Sequence, residues 1–141
     1  PDKLNQLQHA RFFKSSAGLR LHMKKHASIL KPKFDAVYET LDRELGDSGI
    51  ADWTKPTGGY FLSFNTMPGC ASKVVKMCAD CGVKFTPAGS TYPHGIDPED
   101  RNIRLAPSFA TVEEITKAIT ILSLCTKIVT IEKMLKESDP A

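Results

Sequence analysis

Two long stretches that each carry a single apolar face constrain this chain more than anything else in its sequence. Leu30, Phe34, Val37, Tyr38, Leu41 and Leu45 recur at the spacing of one face of an amphipathic helix. Ile115, Ala118, Ile119, Leu122, Cys125 and Val129 do the same near the other end. A helix with one apolar stripe has to bury it, and only short segments of strand character lie between these two. The first stretch predicts a long helix from about Leu19 to Leu45, stopped by Gly46 and Gly49 and preceded by a shorter helix over Leu4 to Lys14. Pro32 falls inside the long helix. It removes one backbone donor and crowds the preceding turn, so a kink or break is expected near Ser28 to Lys31. The second stretch opens on Thr111-Val112-Glu113-Glu114, a capping box that starts a helix running to about Lys136.

The middle of the chain reads as turns and strands. Trp53 to Lys55 is a short strand and Pro56-Thr57-Gly58-Gly59 a turn. Tyr60 to Phe64 is an aromatic-rich strand, closed by the turn Pro68-Gly69. Ala71 to Cys81 is a helix burying Val74, Val75 and Cys78 and ended by Gly82. Val83 to Phe85 is a further short strand. Thr86 to Asp100 is a Gly- and Pro-rich loop, and Ile103 to Ala106 the last strand. The expected fold is a two-layer α+β domain, with helices packed on one face of a small, mostly antiparallel sheet, preceded by the long kinked helix.

Several function classes fall away on composition. A net charge of +3 with scattered lysines gives no footprint for nucleic acid. The most apolar stretch, Ile115 to Leu135, is broken by Lys117, Lys127, Glu132 and Lys133, so no membrane span is expected. Pro1 to Asn5 lacks the basic start and apolar block of a secretory signal, which makes the cytoplasm the expected compartment. Pro1 is also not an initiator Met, so either a processed chain or a fragment of something longer is expected. Cys78 and Cys81 form a C-x-x-C spacing, but at the end of a helix and with no second pair for zinc, so reduced structural cysteines are expected.

Arg104 is the residue most suggestive of chemistry. It is a single cation in Asn102-Ile103-Arg104-Leu105-Ala106-Pro107, an otherwise apolar strand-like run. Its guanidinium forks toward two parallel hydrogen bonds, for which a carboxylate is the fitting partner. A salt bridge to a nearby acid is the alternative. Tyr60 belongs either to the core or to a site. His22 and His26 share a helix face without a third ligand, so no metal site is expected. Ser28-Ile29-Leu30-Lys31 matches S-x-x-K but lacks the partner motifs of a nucleophile, and His94 has no neighbouring acid–base partner.

Taken in order, the long helix, Pro56-Thr57-Gly58-Gly59-Tyr60-Phe61, Phe85-Thr86-Pro87-Ala88-Gly89-Ser90, the Arg104 strand and the capped last helix resemble the C-terminal small domain of a fold-type-I aminotransferase dependent on pyridoxal phosphate. Pro1-Asp2-Lys3-Leu4-Asn5-Gln6-Leu7 and Lys31-Pro32-Lys33-Phe34 resemble its MocR-like aspartate aminotransferase branch. The resemblance implies that residues 1–28 continue from a missing large domain and that 29–141 are the small domain. Arg104 would bind the α-carboxylate of the amino-acid and 2-oxo-acid substrates, with Tyr60 as a second substrate contact. The reaction would be transamination of the aspartate/2-oxoglutarate type, in a homodimer.

The Schiff-base lysine and the other cofactor-binding groups would lie in the missing domain. No catalytic or cofactor-binding residue is therefore expected here, and this piece should be inactive alone. Apolar surface is expected around Leu4, Leu7, Phe12 and Phe13, open to self-association. A non-catalytic regulatory module that binds an amino acid through Arg104 is the alternative.

Overall fold

The computed structural model describes residues 2–138, so Pro1 and residues 139–141, the outer ends of the two expected segments, lie outside the described residues. The chain divides into two compact units, one reaching to Pro32 and the other starting at Lys33. In the first unit, α1 spans Lys3–Phe13, with Asp2 accepting a hydrogen bond from the Asn5 amide at 3.1 Å as its cap. Its rings meet those of the following helix: Phe12 and Phe13 stand edge-on to His22 at 5.5 and 5.2 Å, and His22 lies 4.5 Å from His26. Leu4, Leu7 and Phe12 are exposed, as expected, while Phe13 is half-buried.

α2 spans Ser16–Leu45 with Pro32 inside it. Of the kink or break expected near Ser28 to Lys31, the break is not present. Proline costs the ladder one hydrogen bond and its fixed φ is already helical, so intact turns on both sides carry the helix through. Past Pro32 the apolar stripe does what its spacing demands: Val37, Leu41 and Leu45 are buried.

β1 (Ala51–Trp53), β2 (Leu62–Thr66) and β3 (Asn102–Leu105) form one antiparallel sheet in that order. The expected bounds shift. The first strand starts and ends two residues earlier than Trp53 to Lys55, the second two residues later than Tyr60 to Phe64, and the last one residue earlier than Ile103 to Ala106. The reason lies in the register. Leu62 pairs with Leu105 and Trp53 with Phe64, so Tyr60 would face Pro107 and Phe61 would face Pro56. Neither proline has an N–H to give, and the ladder stops at Leu62. Val83 to Phe85 is not a strand, because no ladder forms along it.

α3 (Ala71–Asp80) closes as the sequence predicts. The Val83 amide donates to the Cys78 carbonyl and the Gly82 amide to the Ala79 carbonyl, around Gly82 at φ +85°. That is a Schellman stop, which needs the left-handed residue glycine supplies. α4 (Val112–Ser138) begins with the full capping box: Glu114 accepts from the Thr111 amide and hydroxyl at 2.8 Å, and Thr111 Oγ1 accepts from the Glu114 amide at 3.2 Å. The core lies where Val37 and Leu41 of α2, Leu62, Phe64, Ile103 and Leu105 of the sheet, Val74 of α3 and Ile119 and Leu122 of α4 meet. Ser123 and Thr126, buried in α4, return their hydroxyls to the carbonyls of Ile119 and Leu122 and so carry no unmet donor.

Candidate functional site

Strand alternation sorts the sheet into two faces. Leu62, Phe64 and Thr66 of β2 and Ile103 and Leu105 of β3 are buried on the core side. Ser63, Asn65, Asn102 and Arg104 take the alternate positions, with Ser63 directly opposite Arg104. The second face is therefore polar, and its members are tied together. Asn102, only 6% exposed, donates to Ser63 Oγ at 2.6 Å and to Asn65 Oδ1 at 2.7 Å, and accepts from Thr91 Oγ1 at 2.6 Å. Asn65 in turn donates to Asp52 at 2.7 Å.

These bonds pin the loop that precedes β3. Asp97 takes the amides of Glu99, Arg101 and Asn102 at 2.8–3.1 Å. Partial burial pushes its carboxyl pKa up, but the three amide donors together outweigh that and hold it below the ordinary carboxylate value. Gly89 is required in this loop: its φ is +78° and a Cβ there would stand 2.6 Å from the Gly95 carbonyl oxygen.

The two arginines just before and within β3 behave differently. Arg101 pairs with Asp52 at 3.0 Å and Glu99 at 3.3 Å. Arg104 has no carboxylate partner among the described residues. Its guanidinium lies over the Phe61 ring, 4.7 Å from the centroid, and its buried Nε makes no hydrogen bond. The ion-pair alternative for the conspicuous arginine is thus taken up by its neighbour. Thr86 Oγ1 donates to the Arg104 carbonyl at 3.4 Å, drawing the 83–87 segment beside the β3 edge. A cavity of about 200 Å³ opens there, lined by Val83, Phe85, Arg104, Pro107, Glu114 and Ile115 among others.

Tyr60 stands in the turn before β2, 49% exposed, and it is Phe61, not Tyr60, that meets the guanidinium. Asn102 escaped the sequence reading, although its position two residues before Arg104 already placed both on one strand face. Among the described residues no cluster of His, Cys, Asp and Glu could hold a metal ion, and no helix is long and apolar enough to cross a membrane.

A family model described as aspartate amino-transferase matches residues 1–138. An aspartate aminotransferase of Corynebacterium glutamicum is 48% identical over 125 residues, which are 89% of this chain and 29% of that protein. The crystal structure of an aspartate transaminase from the same organism superposes with a TM-score of 0.90 at 46% identity, covering 94% of this chain and 31% of that one. A Pyrococcus horikoshii kynurenine aminotransferase, solved in complex with PMP, gives a TM-score of 0.70 at 25% identity, over 84% of this chain and 28% of that one. The chain spans between 29% and 32% of the length of the curated relatives it matches.

Proposed function

The chain belongs to the aspartate amino-transferase family, and from that premise we propose that it is the small-domain portion of a transaminase dependent on pyridoxal phosphate, in which Arg104 clamps the α-carboxylate of the substrate. The observation that carries this reading is a partly buried guanidinium, seated on an aromatic ring, that has no carboxylate partner among the described residues, whereas Arg101, three positions earlier, is paired with Asp52 and Glu99. A cation kept from the acids of its own chain is poised for an acid from outside.

The groups around Arg104 suit the substrate rather than the cofactor. Glu114, the acid lining the same cavity, is engaged in the capping box, so no free carboxylate stands ready for a ring nitrogen. The lysine and acid that hold pyridoxal phosphate are assigned to the rest of the enzyme, and residues 1–28 to the segment leading from it into the small domain at 29–141. When bound, pyridoxal phosphate supplies the electron sink that lets a bond at the amino-acid Cα break. This chain's own contribution is orientation. A bidentate grip on the α-carboxylate fixes the rotation about the carboxylate–Cα bond, and with it which Cα bond faces the cofactor. Phe61 keeps the guanidinium in place, and Tyr60 flanks the approach to it.

Aspartate and a 2-oxo acid are the proposed substrates, supported by the names of the relatives at 46–48% identity. The complete enzyme is further proposed to be a cytoplasmic homodimer, which sedimentation and cell fractionation would check. In the complete enzyme Arg104→Ala should lower kcat/KM by about 30- to 1000-fold, the equivalent of about 2–4 kcal/mol of charge-assisted bonding. An unchanged kcat/KM would remove Arg104 from the site.

A further inference from the structure

The hydrogen bonds on the polar face of the sheet run in one direction and end on an unused donor. Asp52 sets the direction. Its carboxylate is paired with Arg101 and can only accept, so Asn65 turns its Nδ2 to Asp52, at 2.7 Å, and its Oδ1 to Asn102. Asn102 must then present its own Nδ2 to Asn65, and the second hydrogen of that nitrogen goes to Ser63 Oγ at 2.6 Å. Thr91 completes the set by donating to Asn102 Oδ1 at 2.6 Å. Ser63 Oγ is thereby held as an acceptor. An amide nitrogen takes no hydrogen bond in return, so the hydroxyl hydrogen of Ser63 points elsewhere, and it has no acceptor among the described residues.

Arg104 stands directly across the ladder from Ser63, and side chains so placed in an antiparallel pair are immediate neighbours. A guanidinium is a donor only and cannot take the Ser63 hydrogen. Its seat is the ring of Phe61, two residues before Ser63 on the adjoining chain. A charged donor and a neutral one therefore lie side by side on one face of β2 and β3. Neither meets a carboxylate among the described residues. Two adjacent donors of this kind fit a single ligand group with two acceptor oxygens.

We propose that Ser63 is a second substrate-binding residue, whose hydroxyl donates to the same α-carboxylate that Arg104 grips. The proposal rests on that reading of Arg104. Arg104 supplies the charge from β3, and Ser63 supplies a short neutral donor from β2. A carboxylate held from two strands keeps its tilt, which a guanidinium on a flexible stem alone leaves free to swing. Asn102 is then a positioning residue. It makes no contact with the ligand, but by filling the acceptor side of Ser63 Oγ it turns the hydroxyl hydrogen outward.

The test is kcat/KM of the complete enzyme for aspartate and for its α-amide, in wild type, Ser63→Ala, Ser63→Thr and Arg104→Ala. The ratio of the two substrates is taken within one protein, so a lowered folded fraction cancels. Ser63→Ala should shrink the preference for the acid by about 5-fold or more, because a hydrogen bond to a charged acceptor is stronger than one to a neutral amide. Ser63→Thr keeps the hydroxyl and should restore most of that preference. A Ser63 that only supports the sheet would lower both rates alike. An unmoved ratio in Ser63→Ala, with the preference still collapsing in Arg104→Ala, would overturn the role of Ser63 and leave that of Arg104 standing. Equal losses of preference in the alanine and threonine variants would overturn it too. An unchanged preference in Arg104→Ala would remove the reading of Arg104 and this one with it.

Discussion

Arg104 and Arg101 are three positions apart and carry the same charge, yet only one is neutralised by its own chain. That difference depends on register. Asp52 reaches Arg101 because β1 and β3 flank β2, which no local reading of the sequence reveals. The apolar flanks of Arg104 singled it out in the sequence, but they could not exclude an ion pair for it. The stacking of Phe61 on the guanidinium was not legible either, because both Tyr60 and Phe61 sat in one expected strand and only the folded chain sets Phe61 against Arg104. Replacing Phe61 with Leu removes the ring face but keeps most of the bulk. In the complete enzyme kcat/KM for aspartate should fall about 2- to 30-fold, the span of a cation–π contact worth about 0.5–2 kcal/mol. Fluorescence-monitored unfolding should show stability nearly unchanged. A larger loss of stability than of activity would make Phe61 a packing residue only.

Asp97 gives a second prediction at this scale. Its folded pKa is held below the ordinary value of 3.8, so its contribution to stability is present above that value and is lost as pH falls through the lower, folded pKa. Acid titration of stability should thus show a decline below about pH 4. Asp97→Asn should flatten that decline while lowering stability at neutral pH, because one of the two oxygens that accept from the loop amides is replaced by an NH2 donor. Parallel acid curves for the two proteins would show that the loop before β3 does not depend on this charge.

The elements divide by whether their limits are set locally. The α4 start was legible to the residue, because a capping box is written in four consecutive side chains and needs nothing else. The Gly82 stop was legible for the same reason. Strand limits were not, since a strand extends only as far as a partner can pair, and the prolines that fix the start of β2 sit on its neighbouring segments, at positions 56 and 107. Pro32 shows the opposite limit: of the kink or break that the local rule allows, the break does not occur, because the flanking ladder outweighs one missing bond. Thr111→Ala should cost about 1 kcal/mol, the usual value of a cap, read as a lower urea midpoint at unchanged slope. Thr111→Ser keeps the oxygen and should restore most of it. Equal losses in both would mean the cap adds nothing to stability.

At the scale of the whole molecule, a small sheet, its covering helices and one polar face form a scaffold that presents the Arg104 guanidinium without a carboxylate partner among the described residues. Fold class was readable from two amphipathic stripes with strands between them, because layer architecture follows from what must be buried. The presentation of Arg104 was not, because it required the sheet's faces to be sorted and Arg101 to be paired elsewhere. The central claim is that Arg104 answers the substrate's α-carboxylate. Its most direct measurement compares kcat/KM for aspartate and for its α-amide, in the complete enzyme and in Arg104→Ala. The claim predicts that the wild-type preference for the acid over the amide shrinks by about 30-fold or more in the variant, a coupling of about 2 kcal/mol or more. The same preference in both proteins would contradict it.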